Sequence, residues 1–325
     1  MAVTPPIPTP PTAPDAPAGL GALVVELSKP GIVKMVTLSS AVGFVMAALV
    51  QPWTLGTLAV PGLACLVGTA LSAAGANALN QVIEVERDAR MLRTKGRPVP
   101  SGRMGEAAAG VSGIAMSLAG LFILCTLCNP WASLVSAVTI ATYLFWYTPM
   151  KPVSPLATIV GAVPGALPPL IGWAAASEGH AYAGLLEPGG WTLFAIIFVW
   201  QIPHFLAIAW KFREDYAAGG HRVLPVVDPS GASTARSVVA WSLALVPISL
   251  VAVRTMPDRL GILYGAVALL AAGLMVVESV QLARVRSDAN ARRLFFASII
   301  YLPVVLLGMV ADAVLTAGVG TIGVG

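Results

Sequence analysis

The chain has 325 residues, 57% of them hydrophobic and only 10% charged, with a formal net charge of +4 and a mean hydropathy of +0.83. Soluble domains carry roughly 45–50% apolar residues, so the composition excludes a water-soluble globule and predicts a polytopic membrane protein. An excess of four cations is too small and too dispersed to point to nucleic acid.

Residues 1–24 come first in chain order. They are rich in Pro, Thr and Ala, with Asp15 as their charge, and read as a disordered cytoplasmic tail ahead of one polytopic domain over 25–325. The tail lacks the basic start and apolar stretch of a cleaved signal peptide, and it is not an Arg-rich mitochondrial presequence. Runs free of charge then recur at about residues 35–52, 55–80, 107–128, 131–150, 156–177, 190–210, 237–253, 260–277 and 294–311. Each is near the roughly 20 residues that a bilayer requires. The fold class expected is therefore an all-α membrane protein, a bundle of about nine transmembrane helices.

The cations between these runs set the orientation. Arg87, Arg90, Arg93, Lys95, Arg97 and Arg103 separate spans two and three, and Lys151 separates four and five. Lys211, Arg213, Arg222 and Arg236 lie between six and seven, and Arg284, Arg286, Arg292 and Arg293 between eight and nine. The opposite loops hold Arg254 and Arg259. The positive-inside rule then predicts a cytoplasmic N-terminus and a C-terminus outside.

At the end of span two, Asn80, Glu84 and Asp88 are spaced i, i+4, i+8, which keeps them within one stripe of a helix. Their donors are oxygens, with no thiol or imidazole, and hard oxygen ligands suit Mg²⁺, which commonly shares its shell with phosphate. Arg93, Lys95 and Arg97 follow directly and match phosphate oxygens in charge. The competing reading is a solvated basic loop between two membrane helices. Cys125 and Cys128, near the outer end of span three, read better as small apolar helix residues than as a redox or metal pair, and Cys65 lies within span two.

Span five carries Gly161, Pro164, Gly165, Pro168, Pro169 and Gly172. The prolines predict a kink, and the glycines permit close approach of a helix or of a flat ligand. Span six places Gln201 and His204 inside an apolar run, where polar groups face a cavity or a partner. His204 is balanced between a helix-packing hydrogen bonder and a ligand contact. Lys211 and Asp215, again i, i+4, end that span. Two polar clusters thus end two helices on one side of the membrane, an arrangement able to hold a charged head at the rim and an apolar tail in lipid.

These blocks, in this order, resemble the UbiA superfamily of intramembrane prenyltransferases. They are Leu27-Ser-Lys29-Pro30, Asn80-x3-Glu84-x3-Asp88 with Met91-x-Arg93-Thr94-x-x-Arg97-Pro98, and Tyr147-Thr148-Pro149 leading into Gly165-Ala-x-Pro168-Pro169-x-x-Gly172-Trp173. The last is Pro203-His204-Phe205 through Asp215-Tyr216 to Leu224-Pro225-Val226. The Gly-Ala-x-Pro-Pro and Pro-His-Phe blocks are similar to the haem-farnesylating branch. The resemblance implies transfer of a farnesyl group from farnesyl diphosphate to a vinyl group of haem b, with addition of water, giving haem O for terminal oxidases. It also implies Mg²⁺ held by Asn80, Glu84, Asp88 and Asp215, and diphosphate contacts from Arg93, Lys95, Arg97 and Lys211. His204 would touch the haem, a haem A synthase or oxidase assembly factors would be partners, and the bacterial inner membrane would be the location. Two positions depart from the superfamily pattern, which has Asp where Glu84 stands and a second aspartate where Lys211 stands. Glu84 keeps the charge on a longer arm, whereas a lysine cannot bind Mg²⁺ and instead fits diphosphate or Asp215. Two alternatives stand beside this reading. One is a sister enzyme with a 4-hydroxybenzoate, naphthoate or chlorin acceptor. The other is a transporter, whose charged groups more often sit at midplane.

Overall fold

In the computed structural model, which describes residues 19–49, 54–177 and 182–322, every regular element is helical. The first helix, α1 (Leu20–Leu27), is followed by α2 (Pro30–Ala48) and α3 (Leu55–Ile83), and then by the short α4 (Val85–Arg90). Next come α5 (Glu106–Leu127), α6 (Pro130–Ala141), a π-helical turn (Thr142–Tyr147) and α7 (Thr148–Met150). The kinked pair α8 (Ala157–Ala166) and α9 (Pro168–Ala175) leads to α10 (Pro188–Lys211), α11 (Arg213–Ala218) and α12 (Leu224–Val227). Three long helices close the chain: α13 (Ala232–Thr255), α14 (Ile262–Arg284) and α15 (Asp288–Ile322).

Eight helices among the described residues are long and apolar enough to cross a membrane. They correspond to eight of the nine expected runs. The remaining run, 131–150, is helical from Pro130 to Met150 but is divided by the π turn. Most helices overrun their apolar stretch by a turn or more. The last begins at Asp288 rather than 294, because the stems of Arg292 and Arg293 are themselves apolar and reach the interface. The expected kink in span five falls between Ala166 and Pro168, where the proline cannot continue the hydrogen-bond ladder.

The expected tail boundary needs correction. Residues 1–18 lie outside the described residues, but α1 already begins at Leu20. The reason is burial: Leu23 and Leu27 pack with Ala78, Val99, Met104 and Ala109, and Arg103 grips Glu26 through two nitrogens at 2.6 and 2.8 Å.

Burial decides which helices are central. In the spanning window of α8–α9 72% of residues are buried and in α10 67%, against 28% in α5 and α13. The outer helices turn large apolar side chains such as Val111, Leu118, Phe122 and Ile262 outward, as lipid contact requires. The α5 face toward α3 is Ala109, Gly113, Ser117, Gly120 and Leu124, a small-residue stripe at helical spacing that lets two backbones approach closely. Gly172 on α9 does the same for α2, since a Cβ there would strike the Ser40 carbonyl. Buried side chains hydrogen-bond across the C-terminal helices: Ser242 pairs with Ser279 at 2.6 Å and Ser249 with the Tyr301 hydroxyl at 2.5 Å. Asp312, on α15, accepts from the backbone N–H groups of Gly261 at 2.7 Å and Tyr264 at 3.1 Å. It thereby caps α14 from a neighbouring helix.

Candidate active site

The last turns of α3 gather polar side chains at one end of the bundle. Asn77 and Gln81 donate to the carbonyls of Ser28 and Leu27, at 3.0 and 2.9 Å, and so fix the α1–α2 junction against α3. Lys29 sits at that junction with φ 55°, among the described residues the only non-glycine in the left-handed region. That conformation is costly for any L residue that carries a Cβ and is further constrained by the following Pro30. It directs the Lys29 ammonium to the Asn80 Oδ1, 2.7 Å away.

Asn80, Glu84 and Asp88 are all buried, at 1%, 3% and 2% exposure. The helix is broken at Glu84, with α3 on one side and α4 on the other. Each of the three is held by its own cation at the same distance. Lys29 donates to Asn80, Lys151 to the Glu84 Oε2 and Arg97 to the Asp88 Oδ2, all at 2.7 Å. Asn80 also donates to the Glu84 Oε2 at 2.7 Å and to the Thr148 hydroxyl at 3.1 Å. The second Glu84 oxygen, Oε1, is sealed from solvent and has no hydrogen-bond partner.

The electrostatics follow from this pairing. Burial pushes the Glu84 carboxyl up, but Lys151, Asn80 and His221 outweigh it and leave it below its ordinary value. Burial pulls Lys151 down, and Glu84 more than restores it. Lys29 has no such compensation. Burial first, then repulsion from Arg97 and Lys151, brings it down to about 7 against the attraction of Asp88 and Glu84.

The segment 212–231, which carries α11 and α12, lies across this end as a strap. Asp215 accepts from the backbone N–H groups of Leu92 at 2.5 Å and Arg93 at 3.3 Å, and the Arg222 N–H donates to the Lys151 carbonyl at 2.9 Å. The Arg93 guanidinium lies over the rings of Phe212 and Tyr216, at 5.5 and 5.6 Å. The ends of spans two and six therefore meet, as their polar clusters predict. Lys211 is exposed, with its ammonium 4.9 Å from the Phe212 ring centroid, and Lys95 is exposed as well.

Three of the expected site features have partners within the protein. First, Lys29, Lys151 and Arg97 pair with Asn80, Glu84 and Asp88, and Asn80 and Glu84 are also joined to each other at 2.7 Å. Second, both Asp215 oxygens accept from backbone amides, which anchors the strap to the segment that follows α4. Third, His204 is taken up by packing. Its ring is stacked between Trp200 and Phe295, at 4.8 and 5.4 Å, and its Nδ1 lies 2.7 Å from the Ser298 hydroxyl. Gly161, a candidate for close ligand approach, is likewise filled by the Tyr147 ring.

Sequence reasoning missed Lys29, Thr148 and Lys151, which contact Asn80 and Glu84. Lys29 lies in the Leu27-Ser-Lys29-Pro30 block, and Lys151 stands alone in its loop. The π turn signals the remainder, since such turns often mark functional sites. It brings Thr148 to Asn80 and the Tyr147 ring beneath Lys151, 4.6 Å from its ammonium.

Comparison with known proteins gives a consistent picture. Residues 36–300 match the model of the UbiA prenyltransferase family. A protoheme IX farnesyltransferase of Solibacter usitatus is 42% identical over 295 residues, which cover 89% of this chain and 97% of that protein. A solved structure of digeranylgeranylglyceryl phosphate synthase superposes with a TM-score of 0.72 at 15% identity, covering 90% of this chain and 98% of that one. A UbiA homologue from Archaeoglobus fulgidus, bound to GPP and Mg²⁺, superposes with a TM-score of 0.57 at 15% identity, covering 88% and 99%.

Proposed function

The chain belongs to the UbiA prenyltransferase family, and on that premise we propose that it transfers the farnesyl group of farnesyl diphosphate to a vinyl group of haem b. Water adds in the same reaction, and haem O is the product. The acceptor follows from the protoheme IX farnesyltransferase relative, which aligns over nearly its whole length. The observation that carries the site assignment is the set of three polar residues on α3–α4, each held by a separate cation at 2.7 Å.

Asn80, Glu84 and Asp88 fit Mg²⁺ by donor chemistry: they are hard oxygen donors, and one buried carboxylate oxygen is unpartnered. When bound, Mg²⁺ neutralises diphosphate charge as a Lewis acid. Lys29, Lys151 and Arg97 pair with those residues at 2.7 Å. With Mg²⁺ held by those residues, Lys29, Lys151 and Arg97 would be placed to pair with phosphate oxygens of the donor. Arg93, Lys95, Arg97 and Lys211 lie on the two segments that meet over this end and supply further positive charge to the leaving group. Loss of diphosphate leaves an allylic cation, which the vinyl carbon attacks. Water captures the resulting cation beside the porphyrin and gives up a proton. The closely packed α8–α10 region limits water around the first cation.

The cation-rich end faces the cytoplasm in this reading, with the N-terminus inside, the C-terminus outside and the bacterial inner membrane as the location. A haem A synthase or oxidase assembly factors would receive the product. Haems extracted from cells expressing the protein, analysed by mass spectrometry with and without added farnesyl diphosphate, test the proposal. A donor-dependent hydroxyethylfarnesyl haem is expected. Unmodified haem b together with a prenylated aromatic acid would overturn the acceptor assignment.

A further inference from the structure

One inward-facing side chain of the strap has no part in the reading above. His221 is 4% exposed, while Gly220 and Arg222 on either side are exposed. Its position is fixed through the backbone: its own N–H donates to the Tyr216 carbonyl, and that of Arg222 to the Lys151 carbonyl, both at 2.9 Å. The ring packs edge-on against Tyr216 at 5.8 Å, and Tyr216 in turn supports the Arg93 guanidinium. Burial holds the imidazole pKa below its ordinary value, with Glu84, Lys151, Arg87 and Asp88 all acting on the ring.

Its Nδ1 is sealed from solvent and has no hydrogen-bond partner, the same condition as the Glu84 Oε1. Buried polar atoms are rarely left unpaired, and here two occur on side chains that feel each other's charge from opposite segments. The chemistry of the two segments differs. The α3–α4 side offers amide and carboxylate oxygens. On the strap, Asp215 is already occupied by two amides and Glu214 is exposed, whereas the His221 imidazole is buried with an unpartnered nitrogen. A metal ion belongs to the first side and an anion to the second.

We propose that His221 is a diphosphate-binding residue, its Nδ1–H donating to a phosphate oxygen so that the prenyl donor is gripped between α3–α4 and the strap. The proposal rests on the diphosphate reading of this site. It makes the strap a component of substrate binding rather than a passive cover. A donor deleted from a desolvated phosphate contact weakens binding by on the order of tenfold or more.

The test uses the purified full-length chain. Binding of inorganic diphosphate with Mg²⁺ is measured by calorimetry, and KM and kcat for farnesyl diphosphate and haem b are measured in parallel. His221→Ala is expected to weaken diphosphate binding and raise the farnesyl diphosphate KM about tenfold, with the haem b KM unchanged. His221→Gln, whose amide donates from a similar position, is expected to recover most of the loss. If His221→Ala does not fold, His221→Leu fills the space without a polar atom and replaces it. Unchanged diphosphate affinity in the apolar variant overturns the proposal, and so does a loss that Gln fails to rescue. Wild-type protein that binds no diphosphate would overturn the underlying functional reading instead.

Discussion

The Glu84–Lys151 pair allows structural and functional roles to be separated in one experiment. Glu84 is 3% and Lys151 17% exposed along the side chain, with 2.7 Å between Nζ and Oε2. Removing one member of a pair this buried leaves the other uncompensated and costs about 3–5 kcal/mol. Glu84 is placed toward the upper part of that range, since its Oε1 is already unpartnered and Asn80 alone would remain on Oε2. For a chain of this length each kcal/mol shifts Tm by roughly 1.5 °C, so Lys151→Met should lower the melting temperature by about 4–8 °C. Glu84→Gln alone strands the ammonium and should do somewhat less, because Lys151 retains some exposure and rests on the Tyr147 ring. In the double variant neither charge is stranded, and the loss should fall well short of the sum. Activity should behave oppositely, since a stable double variant still lacks both a metal oxygen and a phosphate cation. Thermal unfolding in detergent with EDTA, followed by turnover at saturating Mg²⁺, reads both quantities. Additive destabilisation, or recovery of turnover along with stability, would refute the reasoning.

Asp88→Asn should reduce turnover by on the order of a hundredfold or more while leaving membrane insertion intact; near-wild-type turnover in purified protein would remove Asp88 from the metal site. Lys211→Ala should raise the KM for farnesyl diphosphate, whereas Lys211→Asp should steepen the dependence on Mg²⁺, and identical Mg²⁺ titrations would make Lys211 a topology determinant alone. His204→Ala should lower the yield of folded protein, because it removes a stacked ring between α10 and α15, and leave the KM for haem b unchanged in what survives. A selective rise in that constant would return His204 to the acceptor pocket.

The parts of this molecule legible in its sequence are those with a short-range physical signature. Hydropathy located the spans, because a bilayer imposes a minimum apolar length on any helix that crosses it. Helical spacing brought Asn80, Glu84 and Asp88 to attention, since an i, i+4, i+8 series survives a modest break at Glu84. The role of His204 was not legible, because the Ser298 hydroxyl that fixes its ring lies 94 residues away. Lys29 and Lys151 looked like ordinary flanking cations, and only the positive φ at Lys29 and the π turn before Lys151 bring them to the site. A local insertion in the helical ladder leaves no trace in hydropathy. His221 lies in a loop without periodic pattern, and its burial depends on contacts made across the strap.

The cap that Asp312 places on α14 has a consequence for biogenesis. The N–H groups of Gly261 and Tyr264 that it satisfies are made 51 and 48 residues before it. During synthesis the start of α14 must therefore wait, uncapped, until Asp312, well into α15, has been added. The two helices are completed as a hairpin rather than one by one, and a nascent chain interrupted before residue 312 would carry an unfinished α14 even though every residue of that helix is present.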